Sequence, residues 1–226
     1  MASSDFLRKN KNQHSIKNSI SKRMDNDINL AIEILVDKLK KKYPKLSFHH
    51  EKKLMLKDLI KSLSKDFYTF KNHFSLVMDT SFIKPDGGFL YAEDKKGRQH
   101  LILVAEVKRQ GTNDRRAAEG KRKQAKGNAI ERLGKNLIGI RAIFKKQNIV
   151  PFVCFGSGYD FIAGSSILDR VVTMNDFFPL NNYFVTKEHK PFEPVTMFFR
   201  YEDWSTDDMV TIMEKVARIS IKHYFF

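Results

Sequence analysis

The sequence predicts an α/β fold in which a mixed central β-sheet is flanked by α-helices. Three observations carry this expectation. Apolar residues recur at helical spacing near both ends and in the middle of the chain, they change to continuous or alternating runs over residues 76–108, and a short apolar strand, Ile149 to Phe155, follows the middle helix. The resulting order of helix, strands, helix, strand, mixed β and helix points to a sheet covered by helices.

The chain has 226 residues, enough for one domain with a sizeable core. Its first residues, MASSDFLRKNKNQHSIKNS, are polar and basic and contain no apolar export segment, so residues 1–25 are expected to form a flexible basic arm. From Asp27 the spacing of Ile28, Ile32, Leu35 and Leu39 is that of an amphipathic helix, closed near Pro44, which disfavours helix in the residue before it. Leu56, Leu59, Ile60 and Leu63 suggest a second helix, and the sheet is expected to begin within 76–108.

Leu133, Leu137, Ile140 and Phe144 mark the middle helix, and GSG at 156–158 reads as a turn after the buried strand. Ser205 with Asp208 three residues later is a capping-box pattern for a last helix that places Met209, Ile212, Met213 and Val216 on one face. Cys154 lies in the apolar run VPFVCFG, where a small buried hydrophobe is the expected role, and a reducing cytoplasm is the expected compartment. No apolar run approaches the roughly 18 residues that a membrane span needs.

Lys and Arg number 41 against 26 Asp and Glu, a formal charge of +15. Such an excess favours a polyanion whose condensed counterions are released on binding, and nucleic acid is the first candidate; a merely Lys-rich solvated surface is the plainer one. The segment 108–126, KRQGTNDRRAAEGKRKQAK, holds eight basic and two acidic residues, and a polar stretch of that length is a candidate binding element. The seven His and one Cys show no HExxH or CxxC zinc pattern, and there is no GxxxxGK[ST] phosphate loop. His49 and His50 have no partners at metal spacing and are expected to be surface or packed residues.

The chemistry gathers in FIKPDGGFLYAEDKKGRQHLILVAEVK, residues 82–108. In a strand over Leu101–Lys108, Leu101, Leu103, Ala105 and Val107 share one face, while Glu106 and Lys108 share the other. The turn DKKG at 94–97 suits a type I turn followed by a bulge at a left-handed Gly97. Pairing Asp94 with Gly97 and adding one residue for the bulge sets Asp86 across from Glu106, with Lys108 adjacent. Two opposed carboxylates repel unless a cation lies between them, and an oxygen-seeking divalent ion, Mg²⁺, fits best. Lys108 could position or deprotonate an attacking water and offset charge on a phosphate; Gly87 and Gly88 would keep bulk away from the ion and its substrate. A surface hairpin with a chance ion pair is the plain alternative.

KPDGG, then VAEVKRQG twenty positions on, then GNAIER together resemble the EcoRI branch of type II restriction endonucleases, within the PD-ExK nuclease superfamily. YPKLSF at 43–48 and Trp204 resemble weaker landmarks of the same family. The resemblance implies a restriction-endonuclease-like core and a homodimer that cuts double-stranded DNA at a short palindrome with Mg²⁺, leaving a 5′-phosphate on a staggered end. It implies one endonuclease domain over 26–226, with a catalytic hairpin at 82–108, a basic DNA-binding arm at 109–126, and a recognition segment and helix at 124–146. Asp86, Glu106 and Lys108 would be catalytic, with Asp86, Glu106 and the Val107 carbonyl holding the metal and orienting water for in-line attack.

On the same resemblance Asn128, Ala129, Glu131 and Arg132 would read an AATT core from the major groove. Asn128 opens a helix whose free N–H groups and dipole favour an anion, and these side-chain types can pair with base edges. Gln124, Ala125, Lys126 and Gly127, with Arg170, would reach toward the outer base pair; Gln-Ala-Lys here departs from the family's best-known sequence, so the outer pair stays open among GAATTC, CAATTG, a relaxed pair and AATT alone. Arg109 and Gln110 would couple base contact to metal assembly or clamp phosphates, and residues 115–123 would embrace the DNA backbone. A cognate methyltransferase is expected in the host. A non-catalytic DNA-binding protein and a repair-type nuclease of the same core are the competing readings.

Overall fold

A computed structural model describes residues 11–58, 60–61, 80–110, 116, 118–122, 128–144, 149–161, 169–171 and 197–226. Helix α1 (Lys11–Lys42) leads into strands β1 (Ser47–Glu51), β2 (Leu54–Met55), β3 (Phe82–Ile83), β4 (Phe89–Glu93) and β5 (Gln99–Arg109). Helix α2 (Asn128–Ile143), strand β6 (Phe152–Ser157), a 3-10 turn at Tyr159–Phe161, strand β7 (Met197–Arg200) and helix α3 (Thr206–Phe225) complete the described elements. Among them no helix is long and apolar enough to cross a membrane.

Five strands form one sheet in the order β1-β4-β5-β6-β7, while β2 and β3 make a separate ribbon. β1, β4 and β5 run antiparallel, and β5, β6 and β7 run parallel, so the sheet is mixed as predicted. β5 is central, and its residues 101–107 are all buried. On one face α1 supplies Ile28, Ile32, Leu35 and Leu39 and α3 supplies Met209, Ile212, Met213 and Val216, packed with Leu103, Ala105 and Val107. On the other face α2 packs Leu133, Leu137 and Ile140, joined by Phe144, against Phe89, Leu101, Val104, Phe152 and Cys154. Every apolar stripe read from these three helices is therefore core.

Several expectations change. The first helix begins at Lys11 instead of Asp27, and within it Met24 is buried against the core while Lys22, Arg23 and Asp25 are exposed. The sheet begins with β1 at Ser47, ahead of the expected start at residue 76, because His49, His50 and Glu51 conceal an edge strand whose pattern is half exposed. Leu56 does open a short helical turn, whereas Leu59 and Leu63 lie outside the described residues. The 149–155 strand is displaced to Phe152–Ser157. Ser205 caps α3 as expected, its Oγ accepting from Asp208 N at 3.2 Å, while the Asp208 carboxylate accepts from Arg200 at 2.8 Å.

The DKKG turn has the anticipated form, with Gly97 at φ 75° and its N–H donating to Asp94 O at 3.0 Å. The expected register holds beside the turn, where Glu93 faces Gln99 and Tyr91 faces Leu101, but a second irregularity follows: Leu90 faces Leu103, leaving Ile102 as an extra residue. This bulge flips the strand's phase, so Leu101 joins the α2 face and parts from Leu103.

Gly88 and Gly97 share a left-handed conformation but not an environment. A Cβ on Gly88 would sit 2.6 Å from Glu51 O, whereas one on Gly97 meets nothing closer than 4.0 Å. Gly97→Ala is expected to cost about 1 kcal/mol, and Gly88→Ala about 3 kcal/mol because overpacking adds to the backbone cost. Urea denaturation of the two variants checks the order; equal losses would remove the steric part.

Candidate active site

The site forms where two segments leave the sheet side by side. Past Phe89 the β4–β5 ladder ends, and residues 85–88 curl into a turn in which Gly88 N donates to Pro85 O at 3.0 Å. Extended to position 86, the observed register would oppose Asp86 to Val107 and turn it away from Glu106. The turn undoes that error. Asp86 N donates to Glu106 Oε2 at 3.0 Å, and Val107 N donates to Asp86 Oδ2 at 3.3 Å, which fastens the two segments through their own carboxylates. The expected direct Asp86–Glu106 pairing is thus corrected, although the side chains meet where they were expected to.

Lys108 Nζ lies at the convergence point. It donates to Asp86 Oδ2 at 2.9 Å and to Val107 O at 3.0 Å, and it also pairs with Glu106 Oε1. Asn136 on α2 donates its amide to the same Glu106 Oε1 at 3.2 Å. The Glu106 side chain is 1% exposed, that of Lys108 16% and that of Asp86 28%. Burial, reinforced by Asp86, raises the Glu106 pKa above its ordinary range, against the pull of Lys108. Burial alone would lower the Lys108 pKa, but Glu106 and Asp86 outweigh it and hold the ammonium charged well beyond the usual lysine value.

Three oxygens, one from each of Asp86, Glu106 and Val107, therefore surround one positive centre. Hard oxygen donors around a cation are what Mg²⁺ selects, so these residues fit such an ion. Among the described residues no group of three or more His, Cys, Asp or Glu side chains is gathered for a metal. Two carboxylates and the Val107 carbonyl are the donors that this convergence offers.

The glycines play a different part from the one expected. A Cβ on Gly87 would lie 2.8 Å from Ala105 Cβ and 3.0 Å from Ile28 Cδ1, and Gly88 abuts Glu51 O and His50 Nε2. They admit α1 and β1 behind the turn instead of clearing space in front of it. His50 supports the turn by bonding Gly87 O at 2.9 Å, and Asp25 on α1 has its pKa raised by burial and then by the nearby Asp86. Neither residue carried a signal in the sequence; Asp25 fell in the supposed arm and His50 in an unrecognised strand. Cys154 is fully buried with its thiol pKa pushed up by desolvation, consistent with a packing role.

Of the residues proposed to meet DNA, Arg109 is 3.3 Å from Asp203 Oδ1, an acid that also takes Arg23 at 2.6 Å and Ser157 Oγ at 3.3 Å. Gln110 is 6% exposed, with its N–H donating to Ser157 O at 2.9 Å. Asn128, Ala129, Glu131 and Arg132 occupy the first turns of α2, and exposed Glu131 lies 3.5 Å from Arg170. Gln124, Ala125, Lys126 and Gly127 lie outside the described residues.

The family model of restriction endonuclease EcoRI matches residues 10–168. The chain belongs to the EcoRI family of restriction endonucleases. This EcoRI-family chain is 34% identical over 143 residues to the type II restriction enzyme EcoRI of Escherichia coli, covering 58% of this chain and 50% of that protein. It is 29% identical over 164 residues to the type II restriction enzyme RsrI of Cereibacter sphaeroides, covering 69% of this chain and 58% of that one. The chain thus spans only about half the length of these two curated relatives. Its mixed sheet with helices on both faces is the restriction-endonuclease-like α/β fold of that family.

The Lys108 ammonium is what makes the two carboxylates tolerable to one another. Lys108→Met is expected to destabilise the fold by about 3 kcal/mol near pH 7, since it strands buried charge. Losing Lys108 raises the Glu106 pKa further, so the folded state gains a proton relative to the unfolded one as pH falls. The deficit then shrinks as pH falls through the raised Glu106 pKa toward the ordinary 4.5. Urea melts at about pH 7 and about pH 5 measure this; a deficit that grows on acidification contradicts the assignment.

Proposed function

We propose that the chain is a type II site-specific deoxyribonuclease that hydrolyses phosphodiester bonds of double-stranded DNA with Mg²⁺. The observation that carries this reading is the meeting of Asp86, Glu106 and Val107 oxygens on Lys108 Nζ, at the end of a strand whose continuation leads into the basic segment. When bound, Mg²⁺ would supply Lewis-acid polarisation of the phosphate and of a water. Asp86, Glu106 and the Val107 carbonyl would hold it. Lys108 would supply positive charge to offset the negative charge carried by the phosphoryl oxygens during in-line attack.

The α2 start fits the recognition role. Asn128 heads the helix, so free backbone N–H groups and the positive dipole end are presented where a phosphate would be favoured. Asn128, Ala129, Glu131 and Arg132 would read AATT in the major groove, with Gln124, Ala125, Lys126, Gly127 and Arg170 directed to the outer pair. Arg109 and Gln110 would link this reading to the metal ligands, beside which they lie in sequence. The domain map follows the same lines, with the catalytic hairpin at 82–108 and the basic segment at 109–126. The +15 charge supplies the long-range, salt-dependent part of binding.

A palindrome read by one polypeptide requires two copies about a two-fold axis, so a homodimer follows from this function. Cleavage with 5′-phosphate staggered ends, a cytoplasmic setting and a host methyltransferase protecting the same site belong to the same reading. A plasmid digest with Mg²⁺ tests it: discrete bands support a site-specific enzyme, a smear indicates a general nuclease, and intact DNA with a gel shift indicates a binder.

Glu106→Ala is expected to retain the gel shift and lose cleavage, because recognition and metal binding use different side chains; cutting at the wild-type rate would overturn the site. Arg132→Ala is expected to weaken discrimination at one core base pair by ~1–3 kcal/mol, measured as relative cleavage of single-substituted sites.

A further inference from the structure

Among the described side chains of α2, Asn136 is the one that bonds the buried carboxylate. Its amide donates to Glu106 Oε1 at 3.2 Å, while Glu106 Oε2 accepts from Asp86 N at 3.0 Å. Each carboxylate oxygen thus has its own protein donor from a different segment, which fixes the plane of a group that is 1% exposed. Leu133, Leu137 and Ile140 pack α2 against the sheet, so Asn136 moves with the helix whenever its seating changes. Asn128 at the helix start and Asn136 are eight residues apart, roughly 12 Å along one stiff rod.

We propose that Asn136 is a positioning residue that couples the seating of α2 to the orientation of Glu106, so that correct engagement at the helix start tunes the metal site. The inference rests on the nuclease reading above. It assigns Asn136 no contact with DNA or metal; the residue acts through Glu106. A shift of α2 by a fraction of an ångström lengthens a bond that is already 3.2 Å and releases Oε1 from one of its two donors. Partners of this kind orient ligands, and their loss commonly weakens metal affinity or activity by about 10–100-fold.

The plain alternative is a buried amide satisfied by a convenient acceptor, whose removal costs stability alone. Asn136→Ala and the near-isosteric Asn136→Leu separate the two, with melting temperature, gel shift without divalent ion, and the Mg²⁺ dependence of plasmid cleavage as readouts. We expect both variants to bind specific DNA within about twofold of the wild type, and to need about tenfold more Mg²⁺ for half-maximal cleavage. Cleavage of correct and one-base-altered sites should also differ less than in the wild type, since the helix no longer reports to Glu106. Variants that melt lower but keep the wild-type Mg²⁺ dependence and discrimination would overturn the coupling. Should Asn136→Ala fail to fold, the Leu variant, which retains the packing volume, decides by the same criteria. A wild-type chain that leaves DNA intact under Mg²⁺ would sink the nuclease reading itself; a cutting wild type with unaltered variants sinks only the coupling.

Discussion

Two carboxylates forced together under cover need a positive partner, and the region around Asp86 and Glu106 is arranged to provide one. Glu106 is almost wholly buried in the middle strand of the sheet, where an uncompensated charge would cost several kcal/mol. Lys108 answers that cost from two residues along the same face, and Asp86 is delivered by a turn from the neighbouring strand. The cluster is therefore an ion triad before it is anything else. Removing the ammonium and supplying a divalent ion would exchange one cation for another among the same three oxygens, the chemistry on which the proposed metal site rests.

The surrounding elements explain how such a cluster holds its shape. Behind the turn, Gly87 and Gly88 let Ile28 and Glu51 approach within distances that a side chain would forbid, and His50 fastens Gly87 O. At the C-terminal end of β5, Asp203 gathers Arg109, Ser157 and Arg23, tying this strand to β6 and α1 just before α3 begins. Trp204 next to it donates to Gly156 O at 2.9 Å, with Arg200 stacked 4.0 Å above its ring. The two ends of the short stretch Glu106–Gln110 are thus anchored by different networks, one acidic around Lys108 and one basic around Asp203.

Much of this was legible in the residues because helical stripes and the PDGG and AEVK patterns are short-range signals. Ile28 to Leu39, Leu133 to Phe144 and Met209 to Val216 announced their buried faces by spacing alone, and each is core. What spacing could not reveal was the bulge at Ile102, since a bulge is fixed by pairing across strands and by the exit of the chain at Gly88. The Gly97 bulge sets the ladder as far as Tyr91; past it the Ile102 bulge shifts the pairing by one more residue, and the turn at 85–88 brings Asp86 back to Glu106. β1 escaped notice because a solvent-facing edge strand needs no apolar alternation, and Asp25, His50, Asn136 and Asp203 escaped because each matters through a partner distant in sequence. Family resemblance supplied the roles for Asn128 to Arg132; nothing in their own spacing distinguishes them from a solvated helix start.

Binding of Mn²⁺, a spectroscopic substitute for Mg²⁺, tests the central claim most directly when titrated by electron paramagnetic resonance into the wild type and an Asp86→Asn, Glu106→Gln double variant. If the Asp86, Glu106 and Val107 oxygens make a divalent cation site, the wild type takes up the ion saturably and the double variant does not. Equal uptake by both proteins would contradict the account, because the ion would then be held somewhere other than around Lys108.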